Sequence, residues 1–391
     1  WTSHITPHRE NKPVKITAIG WRGYALPFRQ RYITSVSQAN RRFGLLLFLL
    51  TSDGLVGIGE AAPAGTGNLG NARETVVILE KLAPRLLESD TDSIKEAISV
   101  WGMPAPLRFG LETALLDLEG QDKKLPMAVL LGSKPSSLTV NALIAAESPK
   151  TVAMNAREAV ELGFTNLKLK VGNTLPEDKK LVSALRQAVG SQVKLRLDAN
   201  QAWNISQAIE SIRQLSRYQL EYVEQPIAAV NIAGLAKVRR SVPVAIAADE
   251  SLGSLDDLHR LINAGAADVF IIKASRLGSF RAGLEVATEV LKTGLSVVVT
   301  TSLESGVGVA ASAHLAAALP DQPHPHGLAT GLLFEQDLTY PRLRPSNGKL
   351  LTPDTPGLGV KVDAMLLRKY SIAVMGSAGS SLSGLREYLS L

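Results

Sequence analysis

Five lysine and carboxylate residues recur along this chain at nearly one spacing, each at the end of a short apolar run. They are Lys170, Asp198, Glu224, Asp249 and Lys273. Three carboxylates that converge within a few ångströms need a cation if all of them are to stay ionised. Oxygen-only ligation without Cys or His favours a hard divalent ion. The residue types therefore predict a Mg²⁺ site, with Mn²⁺ as an alternative, flanked by lysines.

Such a site has a definite chemistry. A substrate carboxylate bound to the ion becomes an electron sink, which makes the neighbouring C–H group more acidic. A lysine can remove that proton if a like-charged neighbour and the metal lower its pKa. Lys168 is that neighbour, because side chains alternate along a strand and it shares a face with Lys170. The pattern predicts proton abstraction next to a carboxylate, with an enediolate stabilised by metal and lysine.

The spacing also predicts the elements that carry these residues. The intervals between them are 28, 26, 25 and 24 residues, about the length of one strand–helix unit. In a (β/α) barrel the C-terminal ends of the strands build the active site. Strands are predicted at 138–144, 166–170, 193–198, 220–224, 244–249, 269–273 and 295–301, with a short eighth near 326–329. The predicted fold class is α/β, a (β/α)7β modified TIM barrel.

The residues before the barrel follow a different pattern. Strand-like segments within 14–60 precede helical periodicity at 71–87, 93–101 and 107–121, which favours a separate α+β domain. We therefore predict an N-terminal capping domain at 1–136 and a barrel at 137–330. The segment 331–391 is predicted to pack back on the capping domain and complete it. The Gly/Ser-rich end of that segment receives no assigned role.

Composition excludes several classes of function. The chain has 391 residues, no cysteine, a net charge of +6 and 5% aromatic residues. Disulfides, thiolate metal sites and cysteine nucleophiles are excluded, and the scattered lysines and arginines do not indicate nucleic-acid binding. No apolar run approaches the roughly 18 residues that span a membrane. The expected partner is a small-molecule carboxylate, and the oligomeric state stays open.

The start of the chain, WTSHITPHRENKP, lacks both a methionine and the apolar core of a secretory signal. The missing methionine predicts a processed or trimmed product, or a piece cut from a longer one. The expected location is the cytoplasm, with the plastid stroma as the alternative that fits a missing methionine.

At the strand-end residues the chain resembles the enolase superfamily, in its muconate-lactonizing-enzyme subgroup. The resemblance runs from about residue 14 to 363 and includes GIGEAAP at 57–63 and RFGLETALLDLEGQ at 108–121. It implies that Lys170 is the proton-abstracting base and Lys168 its partner. It also implies that the three carboxylates are Mg²⁺ ligands and that Lys273 lies on the opposite face of the substrate.

Within that subgroup the chain resembles the o-succinylbenzoate synthases. The RLDAN run at 196–200, SLESG at 302–306 and HGLAT at 326–330 carry this resemblance. It implies syn-dehydration of 2-succinyl-6-hydroxy-2,4-cyclohexadiene-1-carboxylate to 2-succinylbenzoate, a step of menaquinone and phylloquinone biosynthesis, with a loop at 27–31 closing the site. The substrate-binding residues expected on this basis are Asn200, Arg196, Ser302, Glu304, Ser305 and Gly306.

Alternatives remain. Lysines on both faces also suit the 1,1-proton transfer of an N-succinylamino-acid racemase or a dipeptide epimerase. Dipeptide epimerases usually carry Asp-x-Asp after the eighth strand, where this chain reads GLATGLLFEQ. A muconate-type cycloisomerase and a non-catalytic scaffold are weaker options. The GTGNLG run at 65–70 fits a dinucleotide fingerprint, but Pro63 and the following helix favour a capping loop that borders the active site.

Overall fold

The computed structural model describes residues 14–33, 38–98, 100–380 and 382–389. The predicted processed start concerns residues 1–13, which lie outside these ranges. The N-terminal elements are β1 (Ile16–Ile33), β2 (Gln38–Thr51), β3 (Val56–Ala61), α1 (Leu69–Glu88), α2 (Thr91–Ala97), α3 (Ala105–Lys123) and α4 (Met127–Leu130).

Strands β1, β2 and β3 form an antiparallel meander that is buried on both faces. Alternate side chains of β2 enter two different cores: Leu45, Leu47 and Leu49 pack in the core shared with α1 and α3. Leu46 and Phe48 pack in the larger core that extends into the rest of the chain. Burial on both faces explains why this strand reads as a continuous apolar run instead of an alternating one.

The barrel elements follow in chain order. They are β4 (Ser137–Thr139), β5 (Ala142–Ile144), α5 (Pro149–Glu161), β6 (Asn166–Lys170), α6 (Leu175–Val189), β7 (Lys194–Asp198), α7 (Ile205–Leu215), β8 (Leu220–Glu224), α8 (Ile232–Ser241), β9 (Ala245–Ala248), α9 (Leu255–Asn263), β10 (Val269–Ile272), α10 (Ala274–Leu277), α11 (Phe280–Lys292), β11 (Ser296–Val299) and α12 (Gly306–Ala317).

Strands β5 to β11 form a seven-stranded parallel sheet in sequence order. Single parallel bridges, Val140 to His326 and Thr300 to Gly327, connect the two edges of this sheet. The predicted eighth strand is therefore reduced to this short crossing. The predicted (β/α)7β fold class with an N-terminal capping domain is confirmed.

The predicted strand at 138–144 is wrong in one respect. Its first part, β4, leaves the barrel and pairs antiparallel with a C-terminal strand, so that only β5 joins the parallel sheet.

The C-terminal elements are β12 (Thr339–Tyr340), β13 (Lys349–Leu351), β14 (Lys361–Val362), α13 (Ala364–Lys369), β15 (Ser371–Gly379) and α14 (Arg386–Leu389). Strand β13 is the partner of β4. Strand β15 pairs antiparallel with β1, so the capping sheet has the order β15-β1-β2-β3. The tail that the sequence left without a role thus completes the capping domain. The domain limits 1–136, 137–330 and 331–391 stay a prediction.

Within the described residues, no helix combines the length and the hydropathy that crossing a bilayer requires.

Candidate active site

The strand-end residues meet at one level of the barrel mouth. Lys170 is in register with Asp198, and Asp198 is in register with Glu224. Asp249 and Lys273 come directly after β9 and β10. The three carboxylates are buried, with exposed fractions of 1%, 0% and 0% in chain order. The parallel register therefore brings together all five residues that the spacing singled out.

Two lysines flank the first carboxylate. Lys170 Nζ donates to Asp198 Oδ2 at 2.7 Å and to Asn200 Oδ1 at 2.7 Å. Lys168 Nζ lies 3.4 Å from the same Asp198 oxygen and donates to Glu224 Oε1 at 3.0 Å. The expected sharing of one strand face by Lys168 and Lys170 is thus observed.

The opposite side of the site carries two positively charged side chains. Lys273 Nζ lies 2.5 Å from Asp249 Oδ2, and Arg276 Nη1 lies 2.5 Å from Asp249 Oδ1. Arg276 also donates to the backbone carbonyl of Asp249 at 2.6 Å. The sequence interpretation missed Arg276. Its signal was its place three residues after Lys273, a spacing that puts both side chains on one side of a helical turn.

A buried glutamine holds the backbone of Asp249. Gln225 Oε1 accepts the N–H groups of Asp249 at 2.9 Å and Ser251 at 3.1 Å. Its Nε2 donates to Ser251 Oγ at 2.8 Å. Gln225 adopts a φ of +39°, and Asn200 adopts +43°. Such conformations are sparsely populated by non-glycine residues and cluster at functional sites.

Charge and burial compete in this cluster. Burial and the charge of Asp198 raise the pKa of Glu224 to about 8. Burial alone would raise the pKa of Asp198, but Lys170 and Lys168 outweigh it and lower that pKa. For Lys170, burial and Lys168 favour a lower pKa, yet the charge of Asp198 raises it. The expected lowering of the Lys170 pKa is therefore not observed here, because the lysine is ion-paired with a carboxylate.

The site opens into a cavity of about 340 Å³. Its lining residues are Tyr32, Ala64, Gly65, Asn141, Leu143, Lys168, Lys170, Asp198, Asn200, Gln201, Glu250, Lys273, Arg276, Thr300, Thr301, Ser302, Leu303, Gly327, Ala329 and Thr330. Two predicted substrate-binding residues, Asn200 and Ser302, are among them. Gly65 lies at its edge, as predicted for the capping loop. The loop predicted to close the site, 27–31, is part of β1 and does not line this cavity.

Arg196 lies one level beneath Asp198 and does not line the cavity. Its side chain is fully buried, and its Nε donates to Glu221 Oε2 at 2.6 Å. Its Nη1 donates to Asn141 Oδ1 at 3.0 Å. Since Asn141 does line the cavity, Arg196 supports the floor of the site from below. This placement corrects its expected direct contact with substrate.

The other three predicted substrate-binding residues turn away from the cavity. Glu304 Oε1 accepts from Ser275 Oγ at 2.7 Å, and the N–H of Gly306 donates to Asp337 Oδ1 at 2.7 Å. The N–H of Ser305 donates to Glu60 Oε1 at 2.9 Å. The reason is local: the backbone reverses at Leu303, whose φ is +65°. In the segment 300–306, only the residues up to Leu303 line the cavity.

The match to known families agrees with this geometry. Residues 25–132 match the N-terminal domain of the mandelate racemase / muconate lactonizing enzyme family. Residues 151–366 match the enolase C-terminal domain-like family. The chain belongs to the enolase superfamily, in its mandelate racemase/muconate lactonizing enzyme subgroup. The resemblance seen in the sequence is therefore confirmed at this level.

Individual members of the superfamily that resemble this chain carry different activities. A hydrophobic dipeptide epimerase from Enterococcus faecalis is 32% identical over 310 residues, 78% of this chain and 88% of that protein. An o-succinylbenzoate synthase from Thermobifida fusca is 43% identical over 217 residues, 55% of this chain and 66% of that protein. Membership alone therefore does not distinguish a lyase from an epimerase.

Solved structures of the superfamily share the fold. A muconate lactonizing enzyme from Pseudomonas fluorescens, complexed with muconolactone, has a TM-score of 0.87 and 28% identity, covering 92% of this chain and all of that one. A dipeptide epimerase from Enterococcus faecalis, complexed with Mg and L-Leu-L-Tyr, has a TM-score of 0.81 and 28% identity, covering 90% and 100%.

The donor set of this chain fits a hard divalent cation. Three buried carboxylates lie on neighbouring strand ends, and burial together with the charge of Asp198 raises the pKa of Glu224. Glu250 Oε2 is buried at the cavity and has no hydrogen-bond partner. The carboxylates are turned toward lysine and arginine here, and the described ranges contain no ready-formed His, Cys, Asp or Glu cluster of three or more for a metal.

The sequence interpretation also missed Glu250. It follows Asp249 directly, and strict strand alternation would put it on the outer face. Because β9 ends at Ala248, alternation no longer applies, and Glu250 accepts from Asn200 Nδ2 at 3.1 Å within the site.

Proposed function

We propose that this chain is an o-succinylbenzoate synthase, which dehydrates 2-succinyl-6-hydroxy-2,4-cyclohexadiene-1-carboxylate to 2-succinylbenzoate. The observation that carries the proposal is the distribution of charge around the cavity. Among the described residues, the charged residues that line the cavity all lie at or just after the ends of β6, β7, β9 and β10: Lys168, Lys170, Asp198, Glu250, Lys273 and Arg276.

The opposite wall is uncharged. It is formed by residues such as Leu143, Thr300, Ser302, Ala329 and Thr330. A free dipeptide presents an ammonium group away from its reacting centre, and a buried ammonium needs a carboxylate partner. This wall offers none among the described residues. It offers hydroxyl groups instead, which can donate hydrogen bonds to a second substrate carboxylate.

The chain's own residues divide the work of a dehydration. Asp198, Glu224 and Asp249 would hold a divalent cation, which when bound supplies positive charge to the reacting carboxylate. Lys170 Nζ lines the cavity and takes the proton from the carbon next to that carboxylate. The ammonium of Lys273, on the other side, stabilises the negative charge that develops. Lys170 then gives its proton to the departing hydroxyl, so a C–H and a C–O bond break, water leaves and the ring becomes aromatic.

The comparisons support this choice without excluding others. The 43% identity to a synthase is high but covers 55% of the chain, whereas the epimerase match is longer and weaker. An N-succinylamino-acid racemase is the second candidate, because lysines lie on both sides of the cavity. Acylation removes the ammonium charge of an amino acid, so the uncharged wall suits this substrate as well. Cycloisomerisation of a muconate is a third option.

Side-by-side assays test the proposal. The purified chain with Mg²⁺ is given the cyclohexadiene carboxylate, N-succinyl amino acids in D₂O, and dipeptides in D₂O. We expect the dehydration to have the highest kcat/KM. Faster α-deuterium exchange into N-succinyl amino acids than dehydration would assign a racemase, and preferred epimerisation of dipeptides would overturn the charge argument.

Metal dependence is tested in the same assay. Treatment with EDTA should abolish turnover, and added Mg²⁺ should restore it, with Mn²⁺ as a substitute. Activity that survives complete metal removal would contradict the assignment of the three carboxylates.

A further inference from the structure

A fully buried arginine of the capping domain connects the two walls of the cavity. Arg42, on β2, has an exposed fraction of 0%. Its Nε donates to the carbonyl of Leu303 at 2.9 Å, and its Nη2 donates to the carbonyl of Pro63 at 2.7 Å. Leu303 lies in the loop after β11 and lines the cavity. Pro63 precedes Ala64 and Gly65, which line the cavity from the capping side.

The contact at Leu303 falls on a strained residue. With a φ of +65°, Leu303 adopts a backbone conformation that non-glycine residues avoid. Such a conformation persists only when its surroundings hold it. The hydrogen bond from Arg42 fixes the carbonyl of this residue. It therefore sets the direction in which the loop leaves the cavity.

A second capping-domain residue holds the same loop two residues further on. Glu60, on β3, is buried and accepts from the Ser305 hydroxyl at 2.6 Å. It also accepts from the N–H groups of Ser305 and Gly308, each at 2.9 Å. Tyr24 donates to it as well. With these donors, Glu60 anchors the N-terminus of α12 to the capping sheet.

Between the two anchors, the loop is held by its own carboxylate. Glu304 accepts the N–H of Ser302 and the hydroxyl of Ser275. Ser302 lines the cavity, while Arg42 and Glu60 do not. The conformation of the cavity wall at Ser302 and Leu303 thus depends on two residues that substrate does not reach.

We propose that Arg42 and Glu60 are positioning residues that set the substrate-facing conformation of Ser302 and Leu303. Contacts of the capping domain with the barrel thereby determine the conformation of the uncharged wall of the cavity, which contains Ser302. This inference rests on the proposed function only for the choice of substrate in its assay. It predicts that the two residues act on turnover although neither touches the cavity.

The test is Arg42→Lys, which keeps the charge but has no donor at the Nε position. The matched control is Arg22→Lys. Arg22 is also a buried arginine of the capping domain, and it lies on β1. It donates to Ser371 Oγ at 2.7 Å and to the carbonyl of Tyr388 at 2.9 Å. Both substitutions disturb a buried arginine, but these two hydrogen bonds of Arg22 are made with the C-terminal segment.

We expect Arg42→Lys to lower kcat/KM for the substrate about 10- to 100-fold, since small displacements of positioning groups have effects of this size. The Mg²⁺ concentration for half-maximal activity should stay within twofold of the wild-type value, because Asp198, Glu224 and Asp249 are not changed. Arg22→Lys should keep kcat/KM within twofold. Glu60→Gln, which replaces an acceptor oxygen by a donor facing N–H groups, should repeat the effect of Arg42→Lys.

Equal falls in thermal stability for Arg42→Lys and Arg22→Lys, with kcat/KM unchanged in both, would overturn the inference. If the wild-type chain turns over none of the tested substrates, the proposed function fails and amide hydrogen exchange decides instead. Arg42→Lys should then speed exchange at 302–305 and 64–67 while 166–170 is unchanged. Unaltered exchange at both loops would reject the positioning role.

Discussion

Lys170 Nζ lies 2.7 Å from Asp198 Oδ2, so the proposed base and a proposed metal ligand neutralise one another in this structure. The same oxygen lies 3.4 Å from Lys168 Nζ. A divalent cation at the carboxylates would compete with both lysines for it. Metal binding would then free Lys170 from its ion pair through competition for this one oxygen atom.

Replacing Lys170 by methionine should remove turnover while keeping the apolar stem of the side chain. The expected loss of kcat is on the order of 10³-fold, since general acid–base groups contribute about 10²- to 10⁴-fold. Exchange of the substrate α-proton with D₂O should be lost in parallel. Steady-state rates and ¹H NMR measure the two effects.

The matched control for this change is Lys194→Met. Lys194 is exposed at the opposite end of β7 and lies 3.6 Å from Glu221 Oε1. It should keep kcat within twofold. Retained α-proton exchange in Lys170→Met would assign proton abstraction to another group.

Gln225→Leu should weaken metal binding through the backbone of Asp249. Gln225 accepts the N–H of that residue, and loss of a group that orients a ligand typically costs 10- to 100-fold in metal affinity. We expect the Mg²⁺ concentration for half-maximal activity to rise by about this factor, with recovery at high Mg²⁺. Gln187→Leu, an exposed change on α6, is the control. An unchanged Mg²⁺ requirement in Gln225→Leu would show that Asp249 does not depend on this contact.

The sequence predicts those parts of the site whose residues lie in short, regularly spaced segments. Residues Lys170 to Lys273 sit at successive ends of parallel strands, and the regular spacing of strand–helix units is written in the sequence. The grouping of their side chains could therefore be predicted by counting faces. Glu250 escaped this counting because the strand ended one residue before Asp249.

The contacts between capping domain and barrel carry no comparable signal. Glu60 and Ser305 are separated by 245 residues, and neither stands in a periodic pattern that points to the other. The positive φ of Leu303 likewise could not be predicted from the residue type, because leucine rarely adopts such a conformation. For these reasons Ser305 and Gly306 were expected in the cavity from the sequence, and Arg42 was missed.

Gly59→Ala should destabilise the capping domain through the contact of β3 with α3. A Cβ at this position would lie 1.8 Å from the carbonyl oxygen of Gly110, so the helix would have to move away. Overpacking of this kind costs about 1–3 kcal/mol or more. Gly102→Ala, where no described residue other than its chain neighbours lies within 4 Å of the added Cβ, should change stability by less than about 0.5 kcal/mol. Urea unfolding of both variants measures the difference, and equal stabilities would contradict the close approach.

Glu112→Gln should change how stability depends on pH. Glu112 lies on α3 and accepts the N–H of Phe280, the first residue of α11, at 3.0 Å. Burial raises its pKa to about 7 from an ordinary value of 4.5. Between these values the folded state binds more protons than the unfolded state, so stability falls as pH rises through this window. The full cost, on the order of 3 kcal/mol, is present above pH 7.

The variant lacks this titration, so its stability relative to wild type should rise between pH 5 and pH 8 by up to about 3 kcal/mol. The other titrating groups, such as buried His314 and His326, are common to both proteins and cancel in the difference. Glu119→Gln on the same helix is the control. Hydrogen bonds from Lys123 and Lys95 outweigh burial and lower the pKa of Glu119, so its contribution is lost only in more acidic solution. Its difference from wild type should therefore stay constant from pH 5 to pH 8, and a flat difference for Glu112→Gln as well would show that Glu112 is ionised in the folded protein throughout this range.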